Sequence, residues 1–180
     1  MRRAGGRRDH RRHDPHLGGP RGPRRHPLGS RSRPRRSAVT VPDATPRDRL
    51  RILREAESVA LVGVSANPLR SSNFVATYLV RTPLRIYPVN PNYDEVLGLR
   101  CYPSLAALPE VPDIVDVFRR PEDLPEVVEE AIAVGAKVVW FQLGLRNDEA
   151  ARRAVEAGLE VVQDRCLKIE HARFAGGLHV

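Results

Sequence analysis

The feature that most restricts the fold is a repeated order of helix, glycine and apolar strand. The stretches "EEAIAVGAKVVW" and "RRAVEAGLEVVQ" align with Gly135 over Gly158. Two copies are too few for a solenoid, which needs several stacked repeats. They fit a sheet in which helices cross between parallel strands. Apolar runs elsewhere extend the pattern: "SVALVG", "LRIYPV", "DIVDVF", "AKVVWFQ" and "LEVVQ". These runs are mostly continuous rather than alternating, as befits strands buried on both faces. The expected fold is therefore α/β and doubly wound, with a mainly parallel sheet of five to six strands. Helices lie on both faces and crossovers are right-handed, giving a Rossmann-like architecture.

Helices fall between these runs. "PRDRLRILREAE" reads as a short helix with Leu50, Ile52, Leu53 and Ala56 inward. Ser71 or Ser72 can cap a second helix that turns Phe74, Val75, Tyr78 and Leu79 inward. In "PEDLPEVVEEAIAVG", Pro121, Glu122 and Asp123 suit a first turn. Leu124, Val127, Val128, Ala131 and Ile132 form one stripe, and Gly135 ends the helix. Asn147 caps the helix that Gly158 ends. "EVLGLRCYPSL" reads as a turn-containing, irregular third strand. "DRCLKIEH" reads as a structural cap on the last strand.

Charge divides the chain. Residues 1–46 hold 13 arginines and no lysine against Asp9, Asp14 and Asp43, while the remainder holds 17 basic and 19 acidic residues. The sequence pI of about 10.4 thus describes the first segment and not the body. The body is not expected to bind nucleic acid. Residues 1–45, rich in Arg, Pro, Gly and His, cannot bury enough apolar surface to order and are expected to be a disordered tail. Three readings of it stay open: a misassigned translation start, a solvated tail, or a basic arm for nucleic acid or an anionic surface. Residues 46–180 make up the folded domain.

No run approaches 18 apolar residues, so no membrane-spanning helix is expected, and no apolar stretch follows the early arginines to make a secretory signal. Cys101 and Cys166 show neither a disulfide framework nor metal-ligand spacing. A cytoplasmic protein with reduced thiols is the expectation.

In open α/β sheets, ligands bind beyond the carboxyl ends of the strands. Those ends here are residues 63–70, "PVNP" at 88–91, "FRRP" at 118–121, "QLG" at 142–144 and "DRC" at 164–166. Gly63 allows close backbone approach, and the helix that follows offers free N–H groups and its positive dipole end. Ser65, Ser71 and Ser72 add hydroxyls, and Arg70 adds a fixed charge. The loop suits a diphosphate. A site for NAD usually ends the second strand with Asp or Glu, which binds the ribose 2′-hydroxyl. Here Asn90 stands between prolines, with no acid before Asp94, which favours a phosphorylated ribose such as that of coenzyme A or NADP.

The stretches "VGVSANPLRSS", "YPVNPNYDEVLG", "CYPSLAALPE", "DIVDVFRRPED", "GAKVVWFQLG" and "DRCLKIEH" occur in this order over residues 46–171. In this the chain resembles the CoA-binding domain family of small stand-alone bacterial and archaeal proteins. That family is similar in turn to the N-terminal domain of the succinyl-CoA synthetase α subunit. The resemblance implies coenzyme A, or an acyl-CoA, as the bound small-molecule nucleotide. It places the nucleotide against Gly63, Ser65, Asn67, Pro68 and Arg70, with the hydroxyl of Ser71 at the same loop, and the adenosine beside Val89 and Asn90. Phe118 and Arg119 line the site, and Gln142 and Gly144 lie toward the pantetheine arm.

The related synthetase uses a second domain with a phosphorylated histidine, and between His26 and His171 this chain has no histidine. A binding protein without chemistry of its own is therefore expected, with its protein partner unknown. Two alternatives are an NAD(P)-binding oxidoreductase and a nucleotide-sensing regulator. The first needs an acid–base pair that cannot be placed here. The second needs a DNA-binding domain, for which residues 1–46 are too short and polar. Trp140 reads as core. Cys166 reads as a semi-buried thiol.

Overall fold

The computed structural model describes residues 41–178, so the arginine-rich residues 1–40 and the three readings of them lie outside it. The described chain runs α1 (Pro46–Glu55), β1 (Ser58–Val62), α2 (Ser71–Leu79), β2 (Arg85–Val89), β3 (Glu95–Val96) and β4 (Leu99–Arg100). It continues with β5 (Ile114–Val117), α3 (Leu124–Val134), β6 (Val138–Phe141), α4 (Asp148–Glu156), β7 (Glu160–Val162) and α5 (Leu167–Leu178). Five strands form one parallel sheet in the order β2-β1-β5-β6-β7. Because β1 lies between β2 and β5, the chain leaves it first to one side and later to the other. This reversal opens a crevice at the carboxyl ends of the central strands.

Successive side chains of a strand point to opposite faces, and both faces are buried. Val59, Leu61, Ile114, Val138 and Trp140 pack against Ile52 and Leu53 of α1, Val75 and Leu79 of α2, and Leu167 of α5. Ala60, Val62, Val115, Val117, Val139 and Phe141 pack against Leu124, Val127, Val128 and Ala131 of α3 and Ala150, Ala151 and Ala154 of α4. The continuous apolar runs follow from this double burial. Trp140 is fully buried, and its Nε1 donates to the Arg165 carbonyl at 2.7 Å.

Several elements depart from the sequence reading. The irregular third strand is a separate antiparallel hairpin, β3–β4, turning through Leu97 and Gly98, both with positive φ. This is the backbone of a two-residue hairpin turn. "DRCLKIEH" opens helix α5 instead of merely capping β7. Pro121–Asp123 form a 3-10 turn ahead of α3. Neither Ser71 nor Ser72 caps α2: Arg70 holds the N-cap position, and its side chain makes no capping bond. Phe74, expected inward, is 62% exposed and lies under the Lys168 ammonium. On α1, Leu50 is half-buried while Arg49 is buried, paired with Glu170 of α5 at 2.8 Å. Such a pair locks two helices together more than it stabilises them, because both charges lose water.

Other expectations hold. Asn147 Oδ1 caps α4 by accepting from the Ala150 N–H at 3.0 Å. Gly135 ends α3 in the left-handed conformation. Among the described residues, no helix is long and apolar enough to cross a membrane.

Candidate functional site

A cleft of about 410 Å³ opens at the carboxyl edge of the sheet. β1 supplies Gly63 at its floor, with φ +83° and its N–H donating to the Val89 carbonyl at 2.8 Å. A Cβ at this position would come within 3.2 Å of the Arg119 side chain. Glycine is therefore required twice over, by the positive φ and by the arginine stem lying across it.

The loop after Gly63 is built from its own polar groups. The Ser65 N–H donates to Ser72 Oγ at 3.1 Å, and the Asn67 N–H to Ser65 Oγ at 3.1 Å. The Leu69 N–H donates to Asn67 Oδ1 at 2.9 Å. Asn67 thus shapes the turn, as asparagine commonly does two residues ahead of a backbone donor. Asn73 of α2 holds the loop from the other side, donating to the Ser65 carbonyl at 2.9 Å. The start of α2 faces the cleft through Ser71 and Ser72, with no side chain capping it. Its first N–H groups and positive dipole end remain available for an anion.

β2 leads directly into Asn90, 8% exposed and braced at both ends of its amide. Its Nδ2 donates to the Val64 carbonyl at 2.8 Å, and its Oδ1 accepts from the Asn92 N–H at 3.0 Å. The turn so formed carries Tyr93 into the cleft, with its hydroxyl 3.3 Å from Ser65 Oγ. Phe118 and Arg119 follow β5, and Gln142 with Leu143 and Leu145 follows β6.

The cleft lining holds two arginines, Arg70 and Arg119, and no carboxylate. Neither guanidinium is bonded to another described residue. Arg120 differs from both. It is exposed and pairs with Glu122 and Asp123, each at 3.4 Å. An arginine left unpaired in a concave, acid-free site presents five donors to whatever anion enters.

Of the residues expected at the site, Gly63, Ser65, Arg70, Ser71, Asn90, Phe118, Arg119 and Gln142 are brought together here. Asn67, Pro68, Val89 and Gly144 are not part of the lining. Asn67 and Pro68 sit exposed on the outer side of the loop. Val89 is buried and turns toward the other sheet face, where with Val62 and Ser104 it borders a smaller cleft of about 290 Å³. Gly144 has φ +83° and donates its N–H to Asp164 Oδ1 at 2.7 Å, so it serves the β6–α4 loop. The lining also includes Asn92, Tyr93, Leu143 and Leu145, which sequence reasoning passed over. The exposure of Leu143 at 64%, beside a strand end, is the kind of signal that only coordinates supply.

A parallel α/β sheet with a polar, cationic cleft at its carboxyl edge defines the Rossmann-like class of nucleotide-binding folds. Comparison with known proteins narrows the class. The family model described as CoA binding domain matches residues 57–172, and the chain belongs to that family. It is 42% identical over 121 residues to the uncharacterized protein YneT of Bacillus subtilis, covering 67% of this chain and 90% of that one. It is 33% identical over 130 residues to an ADP-forming acetate–CoA ligase II of Archaeoglobus fulgidus, of which the match spans only 18%. A solved structure of a hypothetical protein from Pyrococcus horikoshii superposes with a TM-score of 0.71 at 47% identity, covering 73% of this chain and 93% of that one.

Proposed function

We propose that this protein binds coenzyme A or an acyl-CoA in the carboxyl-edge cleft and performs no chemistry of its own. The observation that carries the reading is the pair Arg70 and Arg119, unpaired among the described residues and set beside the uncapped start of α2 in a cleft without acids. Coenzyme A carries a diphosphate and a ribose phosphate, and these sites suit them. Gly63, Ser65 and Ser71 would hold the diphosphate side, with Asn67 and Pro68 shaping the loop around it. Asn90 and Val89 would stand beside the adenosine, Phe118 and Arg119 between the two halves, and Gln142 and Gly144 toward the pantetheine arm. A binding role without catalysis is supported by the described lining, where Ser65, Ser71, Ser72 and Tyr93 stand without a His, Cys, Lys, Asp or Glu beside them. A serine hydroxyl becomes a strong nucleophile only with an adjacent base to activate it, and such a base would come from those types.

Calorimetric titration of the full chain with CoA, acetyl-CoA, NAD, NADH and NADP tests this reading. Binding of CoA or acetyl-CoA is the expected result. Tight binding of NAD or NADH with none of the CoA species would overturn it in favour of an oxidoreductase or a nucleotide sensor.

A further inference from the structure

Asp116 is a fully buried acid at the ligand edge, and the cleft lining leaves it unexplained. It lies on β5 between Leu61 of β1 and Trp140 of β6, neither of them charged. Its sole side-chain partner among the described residues is Gln142, whose Nε2 donates to both carboxyl oxygens, at 2.8 and 2.9 Å. Gln142 is only 6% exposed, yet it lines the cleft. Its Oε1 takes no hydrogen bond from any described residue. No fully buried side-chain nitrogen or oxygen among the described residues lacks a partner. Oε1 therefore opens on the cleft.

A side-chain amide has one donor end and one acceptor end, so the end taken by the protein decides which end the ligand meets. We propose that Asp116 is a positioning residue that holds Gln142 Nε2, so that Oε1 faces the cleft and selects a ligand group bearing an N–H or O–H donor. The ligand side of this proposal rests on the CoA reading above, since the amide N–H groups of a pantetheine arm are such donors.

The carboxyl of Asp116 is itself under tension. Burial pushes it well above the usual carboxylate range, against the opposing Gln142 amide and Val117 N–H. The ionisable groups around this face lie in other contacts, in the core or at the cleft. Arg49 pairs with Glu170 at 2.8 Å, and Tyr78 bonds to His171 at 3.0 Å. Tyr93 bonds to Ser65, Cys101 and Cys166 pack into the same core, and Arg70 and Arg119 face the cleft. When Asp116 is protonated its O–H needs an acceptor, and Gln142 Oε1 supplies it once the amide turns over. The ionised form therefore offers the ligand an acceptor, and the protonated form offers a donor. A ligand donor on Oε1 favours the ionised form, so binding releases a proton and affinity falls as pH drops through this titration.

Two measurements on the full chain test the proposal. In ¹H–¹⁵N spectra without ligand, the Gln142 side-chain amide signals should move with pH in the wild type and not in the near-isosteric Asp116→Asn. In calorimetry, Asp116→Asn should bind CoA about fivefold to tenfold more weakly and lose the pH dependence. Binding of ADP, which has no pantetheine arm, should be unchanged. Amide signals indifferent to pH in the wild type would overturn the proposal, even if the variant fails to fold. Unchanged CoA affinity in a folded Asp116→Asn would overturn it as well. A wild type whose amide titrates but which binds no CoA would leave the positioning intact and sink the ligand reading instead.

Discussion

The two ends of the same sheet treat charge in opposite ways. At the amino ends, charged groups pair with one another. Asp113, ahead of β5, accepts from the Glu57 N–H at 2.9 Å and the Ser58 N–H at 3.2 Å, and takes the Lys137 ammonium at 2.7 Å. Arg85 reaches Glu110 at 2.8 Å and Glu57 at 3.3 Å, and Arg51 reaches Glu160 and Glu55. At the carboxyl ends, Arg70 and Arg119 are left without a partner among the described residues. One end has its electrostatics satisfied within the chain, as stability requires. The other leaves them open, as binding requires.

That contrast can be broken by substitution, and the largest effect is expected at the open end. Replacing both Arg70 and Arg119 with alanine should weaken CoA binding by about 100-fold, about tenfold for each lost charge-assisted contact. The thermal midpoint should barely move, because neither guanidinium holds the fold together. Asp113→Ala should do the reverse. Two backbone N–H groups and Lys137 lose their acceptor, at a cost of about 2–3 kcal/mol in urea unfolding, while CoA affinity stays the same. Equal loss of affinity in both variants would erase the distinction between the ends.

Gly63→Ala sharpens the comparison, since Gly63 serves fold and site together. A positive φ and a Cβ pressed on the Arg119 stem should cost about 1–2 kcal/mol of stability. A displaced Arg119 should also lower CoA affinity, measurable on the same sample. The smallest effect is expected from Lys137→Ala, because its ammonium is exposed. Its melting curve should overlay that of the wild type.

The closed end also carries a pH signature. Burial pushes the Asp113 carboxyl up, but the Lys137 ammonium and the Glu57 N–H outweigh this and hold it below the usual range. A depressed folded value means that stability is present above the unfolded value and lost as pH falls through the folded one. The difference in unfolding free energy between wild type and Asp113→Ala should therefore close below about pH 4.

Much of this architecture was legible in the residues. The three central strands showed as continuous apolar runs because both their faces are covered, and the edge strands β2 and β7 share the pattern where they are buried. Gly135 and Asn147 marked helix ends by chemistry that acts within a few residues. What escaped depends on distant partners. Arg49 looks like a surface charge until Glu170, far along the chain, is brought beside it. Helix α5 escaped because, among its described residues, buried Glu170 and His171 interrupt the apolar side formed by Leu167 and half-buried Phe174. At the site, the loop of residues 63–72 announced itself through glycine, serines and arginine. Tyr93 did not, because only the Asn90–Asn92 turn swings it into the cleft. Nor did the unpaired state of Arg119, since Glu122 and Asp123 stand close in sequence and pair with Arg120 instead.

The most direct test is a crystal structure of the full chain with coenzyme A. The account expects the diphosphate within hydrogen-bond distance of the first N–H groups of α2 and of at least one of the Arg70 and Arg119 guanidinium groups. Coenzyme A seated away from the carboxyl edge, with both arginines still empty-handed, would contradict it.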